Sequence, residues 1–592
     1  MTSKIEILLN RFIVTISRYP ILLLNALMAS ITIISADAYS NSDFLLIKLF
    51  LVLLLGNSLL FGLTTLSQKE QNRTLLPLFI GLPLMAAFYF LFLPENQSDF
   101  SIIHRSTLVI SGICCHLFVA FGPFLRKYNE RNFWNYNKNL FISVILTAIF
   151  TGVLVGGAQL AITAVDQLFT LNFPNELYLY SFYFLSIFGS MLIFLLFIEE
   201  GYEKLIKEDT YPIVLKFFTQ FILIPLLLIY LIILYAYTFK ILLNWDLPEG
   251  WVTILIIAYS SLGLLALLLV EPLKSDNKKS WVNWFSKMFY YSLLPLMILW
   301  FVAILTRINE YGFTINRYFV LLTACWLCFI ALYNITNQQA KIIWIPLGLF
   351  LVGLLGIITP HFNAFSVSER SQSNRLETIL IKNNLLKNNY INFSSPVVDT
   401  VVEEIDHVSR FFIKRNQEGA VLKWIAPEKR DSIDNGLILN YYSYKPLGNL
   451  FTNLIRTENK IQRNSTTFSL KAKNHTFEIN SYKYLIPTIP RSTGGNDLED
   501  YSIIFKTGEE NTIFLNSSSG SLVAHYSLNS TIDSLISKYV RQINEYNRGY
   551  QLIEMNPESV SFQLGPYSAN FVFQSIFKNE NETTYDGYLL LR

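Results

Sequence analysis

Charge is what this chain has least of. Lysine, arginine, aspartate and glutamate together make up 15% of its 592 residues, against 52% hydrophobic ones. An ordinary soluble protein carries about a quarter charged, so the shortfall excludes one conventional water-soluble globule. Cysteine is scarce too. The four cysteines, Cys114, Cys115, Cys325 and Cys328, all fall in apolar runs, so the polar C-terminal region cannot be stapled by disulfides and must be held by its own core. A net charge of +3, spread along short loops, offers no basic face, and no nucleic-acid partner is expected. There is no His-Glu-x-x-His, Gly-x-Ser-x-Gly or Gly-Lys-Ser/Thr, which removes the usual support for zinc-protease, α/β-hydrolase and nucleotide-driven pump readings. No catalytic residue, cofactor or metal is assigned.

What the chain has instead is apolar sequence. Runs able to cross about 30 Å of hydrocarbon at about 1.5 Å per residue lie near 20–36, 44–66, 75–93, 106–125, 139–165, 177–198, 213–243, 251–270, 286–306, 318–336 and 341–359. They predict an α-helical polytopic membrane protein with about 11 transmembrane helices and a C-terminal extracytoplasmic α+β domain. The expected division is an N-terminal cytoplasmic segment over 1–19, a helical bundle over 20–359 and a periplasmic domain over 360–592. The first run has no small-residue cleavage site before it, so it reads as a retained span with Pro20 in its first turn. Pro225 should tilt or kink the long run over 213–243.

Loop charge gives the sidedness. Lys4, Arg11 and Arg18, then Lys69 and Arg73, then Arg126, Lys127, Arg131 and Lys138, then Lys204 and Lys207, then Lys274, Lys278 and Lys279 fall on alternate connections. The intervening loops 35–43, 166–176 and 244–250 hold no Lys or Arg, only acids such as Asp37, Asp43, Asp166 and Glu176. An excess of basic residues marks cytoplasmic loops, so the N-terminus is expected inside. An odd number of crossings then carries the C-terminal domain out. Trp281 and Trp284 at one edge and Trp245 and Trp251 at the other fit the headgroup layers.

Within the spans, Gly152, Gly156 and Gly157 have the spacing that lets helices approach closely, and are expected to pack. Asn25, Asn57, Gln159 and Asn334 are isolated polar residues that neighbouring helix backbone can satisfy. After Pro360 the composition turns to Asn, Ser, Lys and Glu. Ser395-Pro396 reads as a helix start, followed by a stripe of Val398, Val401, Val402, Ile405, Val408 and Phe412, and a second helix is expected over 531–545. Alternation over 468–472, 477–479, 511–515, 521–528, 559–564 and 570–577 predicts strands.

The most distinctive stretch is Arg307-Ile-Asn-Glu-Tyr-Gly-Phe-Thr-Ile-Asn-Arg-Tyr318, three charges and a glycine between two apolar runs. One reading is a tight connection in which Gly312 makes the turn and arginines and tyrosines anchor it at the interface. The other is that Arg307, Glu310, Tyr311 and Arg317 converge on an anionic group, since charge at membrane depth normally faces a partner or cavity. Together with Tyr318 and Arg370, these residues are the candidates for contacts between bundle and outer domain or with a ligand. Cys325-x-x-Cys328 with Cys114-Cys115-His116 has soft-metal spacing, but free cysteine is commonly a small apolar residue in a packed helix. Glu403 and His407, four apart on a helix, fit a solvated face as well as a metal.

The pattern Arg-Ile-x-x-Tyr-Gly-x-Thr-x-x-Arg-Tyr, the following Trp326 and the downstream Ser366-Val-Ser-Glu-Arg-Ser-Gln-Ser-Asn-Arg-Leu376 together resemble a bacterial family of multi-pass membrane proteins classed as a domain of unknown function. The resemblance is firm over residues 290–390, and it implies an inner-membrane protein with an outer domain and no catalytic residues to carry over. The reading that follows is a non-enzymatic inner-membrane protein for binding or assembly in the envelope, with the lipid bilayer and envelope proteins or lipids as partners. A transporter is the first alternative. A glycosyltransferase with a lipid-linked donor, acting through Asp37 or Asp43, is the second.

Overall fold

Where a bilayer would require helix, the described residues are helical. The computed structural model describes residues 2–38, 44–69, 76–207, 216–244, 251–271, 280–337, 339–428, 430, 451–455, 468–472, 482–488, 496–498, 501–506, 511–517, 521–540, 551–556, 558–578 and 583–592. Helices α1 (Thr2–Arg18), α2 (Pro20–Ala38), α3 (Phe44–Lys69), α4 (Leu82–Leu91), α5 (Ile102–Phe121), α6 (Glu130–Phe169), α7 (Asn175–Phe184), α8 (Ser190–Phe197) and α9 (Tyr202–Ile206) come first. Then follow α10 (Ile224–Asn244), α11 (Trp251–Val270), α12 (Ser280–Tyr311), α13 (Ile315–Thr336), α14 (Trp344–Ile358), α15 (Ala364–Lys382), α16 (Asp399–Ile413) and α17 (Gly419–Leu422). Among the described residues nine helices are long and apolar enough to cross a membrane, and two shorter apolar ones, Pro77–Leu91 and Trp344–Ile358, stand where two further spans were expected. A perpendicular crossing needs about 20 residues, and α14 has 15.

Among the described residues three π-helical turns interrupt the spans, at Pro77–Gly81, Leu185–Gly189 and Phe218–Leu223. The last directly precedes Pro225, which cannot donate a backbone hydrogen bond. The irregularity expected at that proline therefore takes the form of a wide turn just before it. The helix α6 runs 40 residues, about 60 Å at helical rise. Among the described residues nothing lies within 4 Å of a Cβ built on Gly152, Gly156 or Gly157, so the packing expected of that run is not met there. Asn25 donates to Leu53 O and to Asn57 Oδ1, both at 2.8 Å, and Gln159 donates to Tyr178 O and Ser181 Oγ, both at 3.0 Å. Asn334 instead turns back on its own helix, to Ile330 O.

The chain separates into two compact units, Met1–Asn392 with Glu404–Tyr444, and Phe393–Glu403 with Lys445–Arg592. The first contains two apolar cores. One gathers Leu22, Leu60, Phe121, Tyr136, Leu195 and Ile198, and the other Ile256, Phe289, Leu296, Trp300, Leu327 and Ile330. On α16 the buried stripe is Val402, Ile405, Val408 and Phe412, as expected, but Val397–Val398 is a short strand and the helix begins at Asp399.

Four short strands come first in the chain, β1 (Leu386–Lys387), β2 (Tyr390–Ile391), β3 (Val397–Val398) and β4 (Leu454–Ile455), and the described residues of the second unit are mainly sheet with a helix packed on it. Strands β7 (Asn496–Asp497), β8 (Tyr501–Lys506), β9 (Thr512–Ser517) and β10 (Leu522–Ser527) form a four-stranded antiparallel sheet in the order β10-β9-β8-β7. A second sheet runs β11 (Gln551–Met555), β5 (Phe468–Ala472), β13 (Tyr567–Lys578), β14 (Thr583–Leu591), β6 (Tyr484–Pro487), with β12 (Glu558–Leu564) also paired to β13. Ile503, Ile513 and Leu515 of the first meet Leu470, Phe571, Phe573 and Leu589 of the second in one core, closed by Ile532, Leu535 and Tyr539 of α18 (Asn529–Val540). This is the α+β region that the alternating sequence indicated. The strand over 477–479, the end of the second helix beyond Val540, and Trp245 and Asp43 lie outside the described residues.

Candidate functional site

The stretch from Arg307 to Tyr318 is an elbow between two spans. Helix α12 ends at Tyr311, and Gly312 takes φ +72 while its N–H closes on Ile308 O at 2.8 Å. That left-handed residue after a helix end is where glycine is favoured. Thr314 then caps α13, its hydroxyl accepting the Arg317 N–H at 3.4 Å.

A connection this tight leaves backbone groups without helical partners, and α15 supplies them. The helix starts with Asn363 as cap, its side chain accepting from Ser366 N at 2.7 Å, and buries Ala364, Ser368, Gln372 and Leu376 at intervals of four. The Gln372 amide donates to Tyr311 O at 2.8 Å and to Phe313 O at 2.9 Å, while Ser371 Oγ accepts the Phe313 N–H at 2.8 Å. Three backbone groups of the elbow are thus satisfied by two side chains about 60 residues downstream. Ser371 and Gln372 lie inside the Ser366–Leu376 run that carries the family resemblance, but neither is among the site residues expected from sequence. The available signal was a four-residue stripe on α15 with polar members at Ser368 and Gln372.

Two guanidinium groups gather on Tyr311. Arg317 Cζ lies 5.4 Å and Arg375 Cζ 5.5 Å from the centre of its ring, distances at which a cation is drawn to an aromatic face. Both also donate to Tyr311 O at 3.3 Å, and Arg317 donates to Gly312 O at 2.8 Å. Arg307 stands near enough to act electrostatically on Arg317, and Glu310 lies beside the Tyr311 hydroxyl. Three guanidinium groups therefore share the elbow with one neighbouring carboxylate. Of the residues predicted for this site, Arg307, Glu310, Tyr311 and Arg317 come together, joined by the unpredicted Arg375. Tyr318 and Arg370 are engaged next to it: the Tyr318 hydroxyl donates to Phe362 O and Arg370 donates to His361 O, both in the turn that leads into α15.

A polar layer covers the far side of α15. Gln417 donates to Glu369 and Lys423 to Ser373, both at 3.0 Å, while the neighbouring Asn416 donates to Ser98 O, between α4 and α5, at 3.0 Å. Arg415 lies 3.6 Å from the Phe411 ring centre and donates to Phe411 O at 2.7 Å. Burial pushes its guanidinium down to about 10, so it remains charged at neutral pH.

The cysteine and Glu403–His407 readings meet ordinary surroundings. Cys114 is buried with its thiol on Phe350 O at 3.8 Å, and His407 sits on the exposed side of α16. Among the described residues no three His, Cys, Asp or Glu side chains lie together as metal ligands would. Asp37 is exposed at the end of α2.

Arginine forks beside an aromatic ring are suited to holding a planar or tetrahedral oxyanion. The comparisons with known proteins add a family. A protein of Pasteurella multocida (strain Pm70), described as uncharacterized, is 26% identical over 333 residues, covering 55% of this chain and 54% of the relative. The chain therefore spans about half the length of that relative. No solved structure matches. The family described as Domain of unknown function (DUF4153) matches residues 21–399, more than half of the chain and including the whole elbow with its docking helix, so this chain belongs to that family.

Proposed function

We propose that this is a non-enzymatic protein of a bacterial inner membrane that binds an anionic envelope component, a lipid headgroup phosphate, at the elbow between α12 and α13. The observation that carries the reading is the convergence of Arg307, Arg317 and Arg375 around Tyr311 with Glu310 as the neighbouring carboxylate. Charge clustered at the end of a span is costly unless it meets a counter-charge, and a phosphate supplies it.

Arg307 is the clean probe. Arg317 and Arg375 also hold backbone carbonyls of the elbow, so their loss would disturb the fold. Arg307→Gln should lower the anionic phospholipid retained by protein extracted from native membranes by about tenfold, the loss of one charge-assisted hydrogen bond of about 1.5 kcal/mol. Zwitterionic lipid should be unchanged. If Arg307→Gln retains anionic lipid at the unaltered level, the reading is wrong.

Sidedness belongs to the same proposal. The alternation of basic loops supports a cytoplasmic N-terminal segment over 1–19, a bundle over 20–359 and a periplasmic α+β domain over 360–592, with the elbow facing out. A reporter that fluoresces only in the cytosol, fused after Arg592, should stay dark. Bright cells would reverse the assignment.

A further inference from the structure

A cavity of about 700 Å³ opens between α3, α5, α6 and the α7–α8 span, away from the elbow residues. Its walls are apolar, with Leu51, Leu54, Leu140, Val144, Met191 and Phe194 among them, and no lining residue is Asp, Glu, Lys or Arg. The volume is that of an ordinary small-ligand pocket.

Three side chains give this apolar space a polar end. His116 Nδ1 lies 2.8 Å from Gly112 O, which can only accept, so Nδ1 carries the proton and neutral Nε2 is an acceptor. Ser58 Oγ lies 3.4 Å from that Nε2. Asn57 uses its carbonyl oxygen to accept from Asn25, and its amide donors have no protein partner among the described residues. A polar side chain at this depth is costly when unmet. The wall also contains Ser186 and Ile187 of the π-helical turn Leu185–Gly189, a departure from α-helix found frequently at functional sites.

We infer that this cavity binds a neutral amphiphile, an apolar chain carrying a hydroxyl group, with the Asn57 amide donating to the hydroxyl oxygen, Ser58 Oγ of the Ser58–His116 pair accepting its proton, and the hydrocarbon walls holding the chain. The absence of charge on the lining separates it from the elbow, whose arginines select an anion. The two sites therefore take different lipids, and neither inference depends on the other.

Photo-crosslinking of the full chain in phosphatidylcholine vesicles tests it. The probes are a diazirine-bearing monoacylglycerol, which is neutral, and a diazirine-bearing phosphatidylglycerol, which is anionic. The neutral probe should label residues 51–61, 108–119 and 140–147 saturably, and unlabelled monoacylglycerol should compete. His116→Phe should reduce that labelling about fivefold, what one lost hydrogen bond is worth, and Ser58→Ala should reduce it in the same direction as an independent variant. Labelling that does not saturate and matches the lipid-facing stretch 149–160 of α6 would mean bulk lipid only and would overturn the inference. Equal labelling by the anionic probe, or no change in either variant, would overturn it too.

Discussion

Replacing Gly587 by alanine should destabilise the C-terminal sheets while leaving the membrane helices intact. A Cβ at that position would lie 2.2 Å from Val572 O and 2.9 Å from the Phe571 ring. The ring can shift, but the carbonyl cannot. Val572 and Phe573 pair in register with Tyr588 and Gly587 across β13 and β14, with a bulge just beyond. Gly587 is also held on its other side, its N–H donating to Thr488 Oγ1 at 2.7 Å and its carbonyl accepting from Thr488 N at 2.9 Å. Relief of the clash must break one of these ladders. Overpacking of a tight site costs about 1–3 kcal/mol and occasionally more, and here the value should reach the upper end. That is a large share of the roughly 5–15 kcal/mol that holds a domain folded. Denaturant titration of the full chain with limited proteolysis of residues 468–592 as readout should show a lowered midpoint for that region alone. Gly419→Ala is the control, because nothing lies within 4 Å of a Cβ there. Equal midpoints for the two variants would refute the account.

Gly587 also shows where sequence reading stops. The run Thr583–Leu591 contains Asp586 and Gly587 in its middle, and both residues disfavour strand on propensity. What makes it a strand is the close approach of a neighbouring backbone, which only the assembled sheet reveals. The hairpin between β12 and β13 was more accessible. Leu564 pairs with Tyr567 around Gly565-Pro566, and Gly565 takes φ +60, the conformation a two-residue turn asks of its first member. The spans were legible for a different reason: hydrocarbon allows only helix, and only long apolar runs survive in it. The same demand hid α1. Its apolar residues Leu9, Phe12, Ile13 and Ile16 fall at helical spacing and are exposed, but the run is too mixed to count as a crossing. At the elbow, Gly312, Tyr311 and Arg317 stood out because charge and glycine are rare between spans. Gln372 sits in the Ser366–Leu376 run, but its role was not legible there, because a neutral amide that reaches backbone carbonyls 59 and 61 residues away leaves no local signature.

Gln372 should therefore decide whether the elbow holds its shape. It is 2% exposed, and its amide nitrogen donates to Tyr311 O and Phe313 O. Gln372→Glu keeps the size of the side chain but replaces that donor with an oxygen facing two carbonyl oxygens. Two hydrogen bonds are lost, each worth about 1 kcal/mol, and the oxygen that replaces the donor is held against two backbone acceptors. Gly312→Ala reaches the same end by a different route. At φ +72 a side chain is strained by about 1–2 kcal/mol, and its Cβ would lie 2.8 Å from Gln372 Nε2 and 2.9 Å from Ser371 Oγ. Those are the two atoms that satisfy the turn, so the alanine displaces what holds α15 in place. Each variant should lose about 3 kcal/mol locally, which speeds amide exchange by roughly a hundredfold where opening is confined to the elbow. The Phe313 amide, bonded to Ser371 Oγ, reports this directly in hydrogen exchange of residues 309–317. Gly152→Ala, with open space around it, should leave exchange there unchanged. Because Arg317 and Arg375 both hold Tyr311 O, an opened elbow also scatters the guanidinium groups. Anionic lipid retention should then fall in both variants at least as far as in Arg307→Gln. Fast exchange with retention intact would mean that the arginines find their anion without the turn, and would separate the elbow's structural role from the binding proposed for it.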